Sequence, residues 1–266
     1  MKARNLVLML AGLSLGLTAV AAVAATPEIN SAVIIPRVWD DCPTSTLTYD
    51  NSYPSSIWID DDDVNCGGYA NLHVWRFSGD GINEAVFPNN SEFRFAADLV
   101  ISGVTEAEAG LQIRPWWSQS DGRFNVRSTD GEIACFGGRL PFFSFTGSYG
   151  LQYVKNTSIH LEIIYHPNEL TEANPATIEY NLIYNGTPYG SGPLPFDMGN
   201  PDEPEYGFWG ILEGAGAGGH MQVFLNSENP DAQVRAEWGN IEFEDLTPPV
   251  PIEETSWGRI KSSYAK

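Results

Sequence analysis

An all-β fold, with two antiparallel sheets packed as a sandwich, is predicted for most of this sequence on three observations. Gly, Pro, Asn and Asp recur about every 8 to 14 residues. The stretches between them alternate polar and apolar residues with period two. Long helical spacing is missing until the last residues. Period two with one apolar face belongs to strands that cover a core on one side and meet solvent on the other. Turn signals at such short intervals mark an all-β domain.

The elements follow in chain order. Lys2 and Arg4 form a positive n-region, and Leu6 to Val23 is an almost unbroken apolar run. Ala22-Val23-Ala24 supplies the small-x-small pattern for cleavage after Ala24 or Ala25, with Pro27 just beyond. Residues 1–25 therefore read as a signal peptide rather than a membrane anchor. No later stretch is apolar for long enough to span a bilayer, so no transmembrane helix is expected after processing. The expected location is secreted, periplasmic or at the cell surface. Without Lys2 and Arg4 the chain keeps 12 basic against 34 acidic residues, a net charge of −22. Such a charge repels nucleic-acid phosphates and anionic lipid, so neither is an expected partner.

Residues 26–246 read as one β-sandwich domain. Its candidate strands are Ala32–Val38, Ser55–Asp60, Asn71–Phe77, Phe93–Ile101, Gly110–Trp116 and Arg123–Ser128, followed by Glu132–Phe136, Ser158–His166, Ala176–Tyr184, Tyr206–Leu212, His220–Asn226 and Gln233–Phe243. In Ser158–His166, Ile159, Leu161, Ile163 and Tyr165 share one face; His160, Glu162 and Ile164 share the other. Asn185-Gly186 is a tight-turn signal. The run Gly214 to Gly219 suits a hairpin tip or a close approach of two backbones. After Leu246, Thr247-Pro-Pro-Val-Pro251 is a stiff linker, and residues 247–266 form a Pro-rich linker and short C-terminal tail. Trp257, Ile260 and Tyr264 fall on one helical face of that tail, which fits a short docking helix or a frayed end.

Export permits a disulfide. Cys42 and Cys66 flank a loop-rich stretch and are the nearer pair, which leaves Cys135 buried or free. Asp60, Asp61, Asp62 and Asp63 form the densest anionic cluster. They read as a solvated acidic turn or as a calcium loop, though the EF-hand spacing is missing. No other cofactor is expected. Asn89, Asn156 and Asn185 each begin an Asn-x-Ser/Thr sequon.

The stretch from Phe93 to Phe243 carries a family resemblance. Phe93-Arg-Phe-Ala-Ala-Asp98 precedes Ala109-Gly-Leu-Gln-Ile-Arg114. Ile159-His-Leu-Glu-Ile-Ile164, Tyr180-Asn-Leu-Ile-Tyr-Asn-Gly186 and Ala236-Glu-Trp-Gly-Asn-Ile-Glu-Phe243 follow. This order resembles the concanavalin A-like lectin/glucanase (LamG-like) superfamily, which implies a two-sheet antiparallel jelly-roll sandwich. The Glu-x-Asp-x-x-Glu strand of its glucanases is missing, as is the Gln-Ile-His element of its alginate lyases. The resemblance therefore supplies no catalytic residue.

Alternation gives a candidate ligand-binding set for one groove: Gln112, Arg114 and Trp116; Asn125 and Arg127; His160 and Glu162; Asn181; and His220 and Gln222. Arg, planar amides and an aromatic suit sugars, whose ring faces stack while their hydroxyls take paired hydrogen bonds. Ordinary solvent-facing residues of a half-exposed sheet give the same pattern. For catalysis, Glu162 and Glu179 are the best carboxylate pair for a glycosidase. Arg114 with His160 or His220 would serve a lyase.

Three functions are open at this point. The first is a secreted carbohydrate-binding or surface-associated sandwich whose partner is a glycan or envelope component. The second is a polysaccharide-degrading enzyme, glycoside hydrolase or lyase. The third is a structural envelope protein docked by its tail.

Overall fold

The computed structural model describes residues 26–197, 209–211 and 213–247. The expected signal peptide (1–25), the residues beyond Thr247 and most of the candidate strand at 206–212 lie outside these residues. In chain order the first strands are β1 (Ser31–Asp40), β2 (Thr46–Ser52), β3 (Ser56–Asp62), β4 (Ala70–Ser78) and β5 (Phe93–Gly103). Next come β6 (Ala107–Arg114), β7 (Arg123–Arg127), β8 (Ile133–Phe136), β9 (Phe143–Ser144) and one short helix, α1 (Phe145–Tyr149). The rest are β10 (Ile159–His166), β11 (Thr177–Tyr184), β12 (Thr187–Gly190), β13 (Leu194–Pro195), β14 (Gly216–Phe224) and β15 (Gln233–Asp245).

The strands form two antiparallel sheets, a jelly-roll sandwich. The first has the order β1-β4-β14-β6-β7-β8-β9 and the second β12-β11-β10-β5-β15-β3-β2, with β13 on β11. The chain changes sheet between β1 and β2, β3 and β4, β4 and β5, β5 and β6, β9 and β10, β13 and β14, and β14 and β15. Neighbours in sequence are therefore often opposite each other across the core.

Alternation explains which side each residue takes. On β10, Ile159, Leu161, Ile163 and Tyr165 are buried in the core; on β11, Ile178, Tyr180, Leu182 and Tyr184 are. Asn185 and Gly186 both have positive φ, 53° and 76°, as the tight turn from β11 into β12 requires. Trp75 of β4 and Trp238 of β15 meet edge to face across the sheets at 6.1 Å, and Trp238 Nε1 donates to Gly110 O at 3.1 Å. The Gly-rich run is no hairpin tip. Its second half opens β14 at the centre of the first sheet, where backbones approach closely. A Cβ on Gly218 would lie 2.1 Å from Trp75 O, and one on Gly219 would lie 2.3 Å from Trp75 Nε1. Only residues without a side chain let β14 pass the Trp75 ring.

Cys42 and Cys66 are joined, and Cys135 is free and buried. The bond closes a loop of sequence separation 24, which contributes about 3 kcal/mol by restricting the unfolded chain. Of the sequon asparagines, Asn89 is buried, with its Oδ1 accepting from Tyr165 Oη at 2.9 Å, whereas Asn156 and Asn185 are exposed. Among the described residues, no helix is long and apolar enough to cross a membrane.

Candidate functional site

The outward face of the first sheet is unusually polar for its burial. On β6 the core takes Ala107, Ala109, Leu111 and Ile113, so Glu108, Gln112 and Arg114 point outward. By the same parity β7 presents Arg123, Asn125 and Arg127, β14 presents His220 and Gln222, and β4 presents Arg76. The register sets these residues in rows. His220 pairs with Gly110, which pairs with Asn125; Gln222 pairs with Glu108, which pairs with Arg127.

Hydrogen bonds lock the rows together. His220 Nε2 lies 3.0 Å from Asn125 Oδ1. Arg123 donates to Gln222 Oε1 at 3.0 Å and to Glu108 Oε2 at 3.1 Å. Arg114 pairs with Glu84. The loop between β6 and β7 covers one end of this face. Gln112 Nε2 donates to the carbonyls of Gln119 and Asp121, at 3.0 and 2.8 Å, and Arg123 Nε donates to that of Ser120 at 2.6 Å. Arg76, wholly buried, donates to Gly219 O at 3.2 Å and to Gln119 O at 3.3 Å. Burial and the charge of Arg114 push its guanidinium down to about 9.

Burial, and then the charges of Arg123 and Arg76, hold the His220 imidazole well below its usual 6.5. The folded protein keeps this ring neutral where the unfolded chain takes a proton. Its contribution to stability is therefore present above pH 6.5 and is lost as pH falls below 6.5, by up to about 1.4 kcal/mol per pH unit. Unfolding by guanidinium at about pH 7.5 and about pH 5 measures this slope. His220→Gln, which keeps an amide against Asn125, is expected to flatten it. An equal slope in the variant would show that another group is responsible.

The other end of this face is open. A cavity of about 580 Å³ lies there, lined by Tyr69, Glu106, Glu108, Arg127, Asp130 and Phe224 among others. Tyr69 is 59% exposed and sits between Trp39, at 6.1 Å, and Phe224, at 5.9 Å; Trp39 is itself 44% exposed. The loop that carries Tyr69 is tied down. Asp41 Oδ2 accepts from the backbone amides of Tyr69 and Ala70 at 3.0 and 3.2 Å. Those bonds hold the Asp41 carboxyl below its usual range. Gly68, at φ 149°, lets the chain pass Asp41, since a Cβ there would lie 2.8 Å from the Asp41 Cβ. The Cys42–Cys66 bond fixes both ends of this arrangement.

The single groove expected from alternation is two surfaces. Gln112, Arg114, Asn125, Arg127, His220 and Gln222 do share one face. Trp116 has the parity of Gln112 and Arg114 but stands past the end of β6, 47% exposed and edge-on to Trp117 at 5.7 Å. His160, Glu162, Glu179 and Asn181 lie on the outward face of the second sheet, with the whole core between. Their strands alternate just as cleanly, but β10 and β11 belong to the other sheet. There a smaller cavity of about 440 Å³ includes Arg94, His160, Glu162 and Asn181. Glu162 accepts from Arg94 and, at 3.0 Å, from Asn181; His160 Nδ1 lies 2.8 Å from Asp98 Oδ1. Glu179 is opposite Ile164 rather than Glu162.

The four aspartates point different ways. Asp60 accepts from Gln233 Nε2 at 2.7 Å, Asp62 from the amide of Asp63 at 2.9 Å, and Asp63 from Thr46 Oγ1 at 3.1 Å. Asp61 turns inward between the sheets, where Oδ2 takes Asn71 Nδ2 at 2.7 Å and His73 Nε2 at 3.0 Å. Among the described residues, no three His, Cys, Asp or Glu side chains converge to hold a metal ion.

No protein-family profile matches this chain, and no curated protein matches it. Solved structures do. An alginate lyase from Klebsiella pneumoniae is 12% identical over 75% of this chain and 85% of its own, with a TM-score of 0.45. A family 7 alginate lyase is 8% identical over 76% and 83%, with a TM-score of 0.43. A protein of unknown function from Shewanella oneidensis is 9% identical over 85% and 92%, with a TM-score of 0.36. At 12% identity or less, these are likenesses of backbone.

Proposed function

We propose that this chain is an exported carbohydrate-binding β-sandwich, and that it holds glycan at the open end of the first sheet's outward face. One observation carries the reading: an aromatic wall of the exposed Trp39 and Tyr69 with the half-buried Phe224, beside a cavity of about 580 Å³ that Glu106, Glu108, Arg127 and Asp130 also line. A pyranose ring needs that pairing, an apolar face to stack on and planar polar groups at its edge. Binding rather than cutting fits the burial of the polar rows, where His220 and Gln112 are wholly covered.

A second reading has its own support. His220 is a neutral imidazole flanked by Asn125, with Arg123 and Arg76 nearby, and a lyase uses a neutral base beside cations that stabilise a developing enolate. It requires the β6–β7 loop to lift before substrate reaches the ring. One experiment separates the two. The protein is applied to a glycan array, and the bound polysaccharides are then incubated with it and assayed for new reducing ends and unsaturated products. Capture without new ends supports the binding protein, turnover lost in His220→Gln supports the lyase, and neither capture nor turnover defeats both.

A further inference from the structure

We infer that the cavity beside Tyr69 selects against acidic glycans and takes amino-sugar polymers in preference to neutral ones. The inference rests on the glycan reading of that cavity and adds its charge selection. Arg127 lines the space, Arg123 and Lys155 pair with carboxylates that line it, and each of these three cations is already held. Arg127 lies 2.6 Å from Asp130, 2.6 Å from Glu132 and 3.7 Å from Glu108. Arg123 lies 3.1 Å from Glu108, and Lys155 lies 3.0 Å from Glu106 while also donating to Thr105 O at 2.7 Å. Four carboxylates thus face three cations.

A uronate or sulfate is received by a guanidinium fork that has two donors to offer. Here Arg127 spends its donors on Glu108, Asp130 and Glu132, and Arg123 spends its own on Glu108, Gln222 and the Ser120 carbonyl. An acidic sugar would have to displace one of those partners, and it would leave a carboxylate uncompensated beside it. Glu106 and Asp130 line the cavity and keep a large share of their side chains in solvent, so they are reachable from it. A protonated amine on a stacked ring can sit against them, and the aromatic faces favour a cation as well. The surrounding field points the same way, since the chain without residues 1–25 has 12 basic against 34 acidic residues, a net charge of −22 that draws cationic ligands and repels anionic ones.

The test uses three β-1,4-linked hexasaccharides of equal length, made of glucosamine, glucose and mannuronate. Each is titrated calorimetrically into the processed full-length chain at low and high salt. The expected order at low salt is glucosamine, then glucose about tenfold weaker, then mannuronate weakest, with the glucosamine advantage shrinking as salt screens it. In the double variant Glu106→Gln, Asp130→Asn, glucosamine and glucose are expected to bind alike. Any other order at low salt, or a glucosamine preference that survives in the double variant, overturns the charge selection and leaves the glycan reading standing. If none of the three binds, both readings fall.

Discussion

Tyr69→Ala is expected to weaken glycan binding about thirtyfold while leaving the melting temperature within about 1 °C of the parent. A stacking aromatic at the centre of a binding surface is worth about 2 kcal/mol when truncated, which corresponds to that factor. The fold has little stake in the ring. Tyr69 is 59% exposed, and its anchoring to Asp41 runs through backbone amides that alanine keeps. Its ring meets Trp39 and Phe224 only at distances near 6 Å, so losing it opens no core cavity. Tyr69→Phe should bind nearly as the parent does if stacking dominates. Calorimetric titration against a glycan identified on the array, run beside thermal melts, checks both parts. Unchanged affinity in Tyr69→Ala would move the site elsewhere.

Tyr69 also marks where sequence reading runs out. Alternation says which residues of one strand share a face, and on β6, β7 and β14 it correctly grouped Gln112, Arg114, Asn125, Arg127, His220 and Gln222. It is silent on which sheet a strand joins. His160, Glu162 and Asn181, with the same period and polarity, therefore read as one set with residues that lie on the far side of the core. Tyr69 stands at the end of a loop, placed by Asp41, Gly68 and a disulfide from distant parts of the chain, and no local period points to it. Glu108 shares the parity of Gln112, so alternation along β6 points to it as well. Asp61 continues the inward set Ile57 and Ile59, so the same period places it inside although it stands in an acidic run. The edge strand β2 offers less, because in Thr46–Ser52 only Leu47 and Tyr49 alternate with polar residues and only Leu47 is even partly buried.

Asp61→Ala is expected to cost about 3 kcal/mol of folding stability, a large part of the 5–15 kcal/mol typical of a domain. The carboxylate belongs to β3 of the second sheet, and its partners Asn71 and His73 belong to β4 of the first, so the cluster joins the two sheets through their core. His73 Nδ1 accepts from the Arg37 amide at 3.0 Å, which places the ring proton on Nε2, facing Asp61 Oδ2. Burial pushes the Asp61 carboxyl up, but the hydrogen bonds from His73 and its neighbours outweigh it, and the group titrates below the usual 3.8. With a depressed folded value, its contribution is present above pH 3.8 and is lost as pH falls through that lower value. Alanine leaves the His73 donor with no acceptor in a dry setting, and Asn71 Nδ2 keeps only Ser45 Oγ at 3.3 Å. The damage reaches the binding face. Asn71 Oδ1 accepts from the Cys42 amide at 3.0 Å, and Cys42 follows Asp41, which holds the Tyr69 loop. A destabilised cluster should therefore weaken ligand binding as well as folding, whereas Tyr69→Ala weakens binding alone. Guanidinium unfolding at neutral pH reads the first effect, and the same glycan titration reads the second. A stability loss below about 1 kcal/mol would mean that the sheets are held together without this cluster.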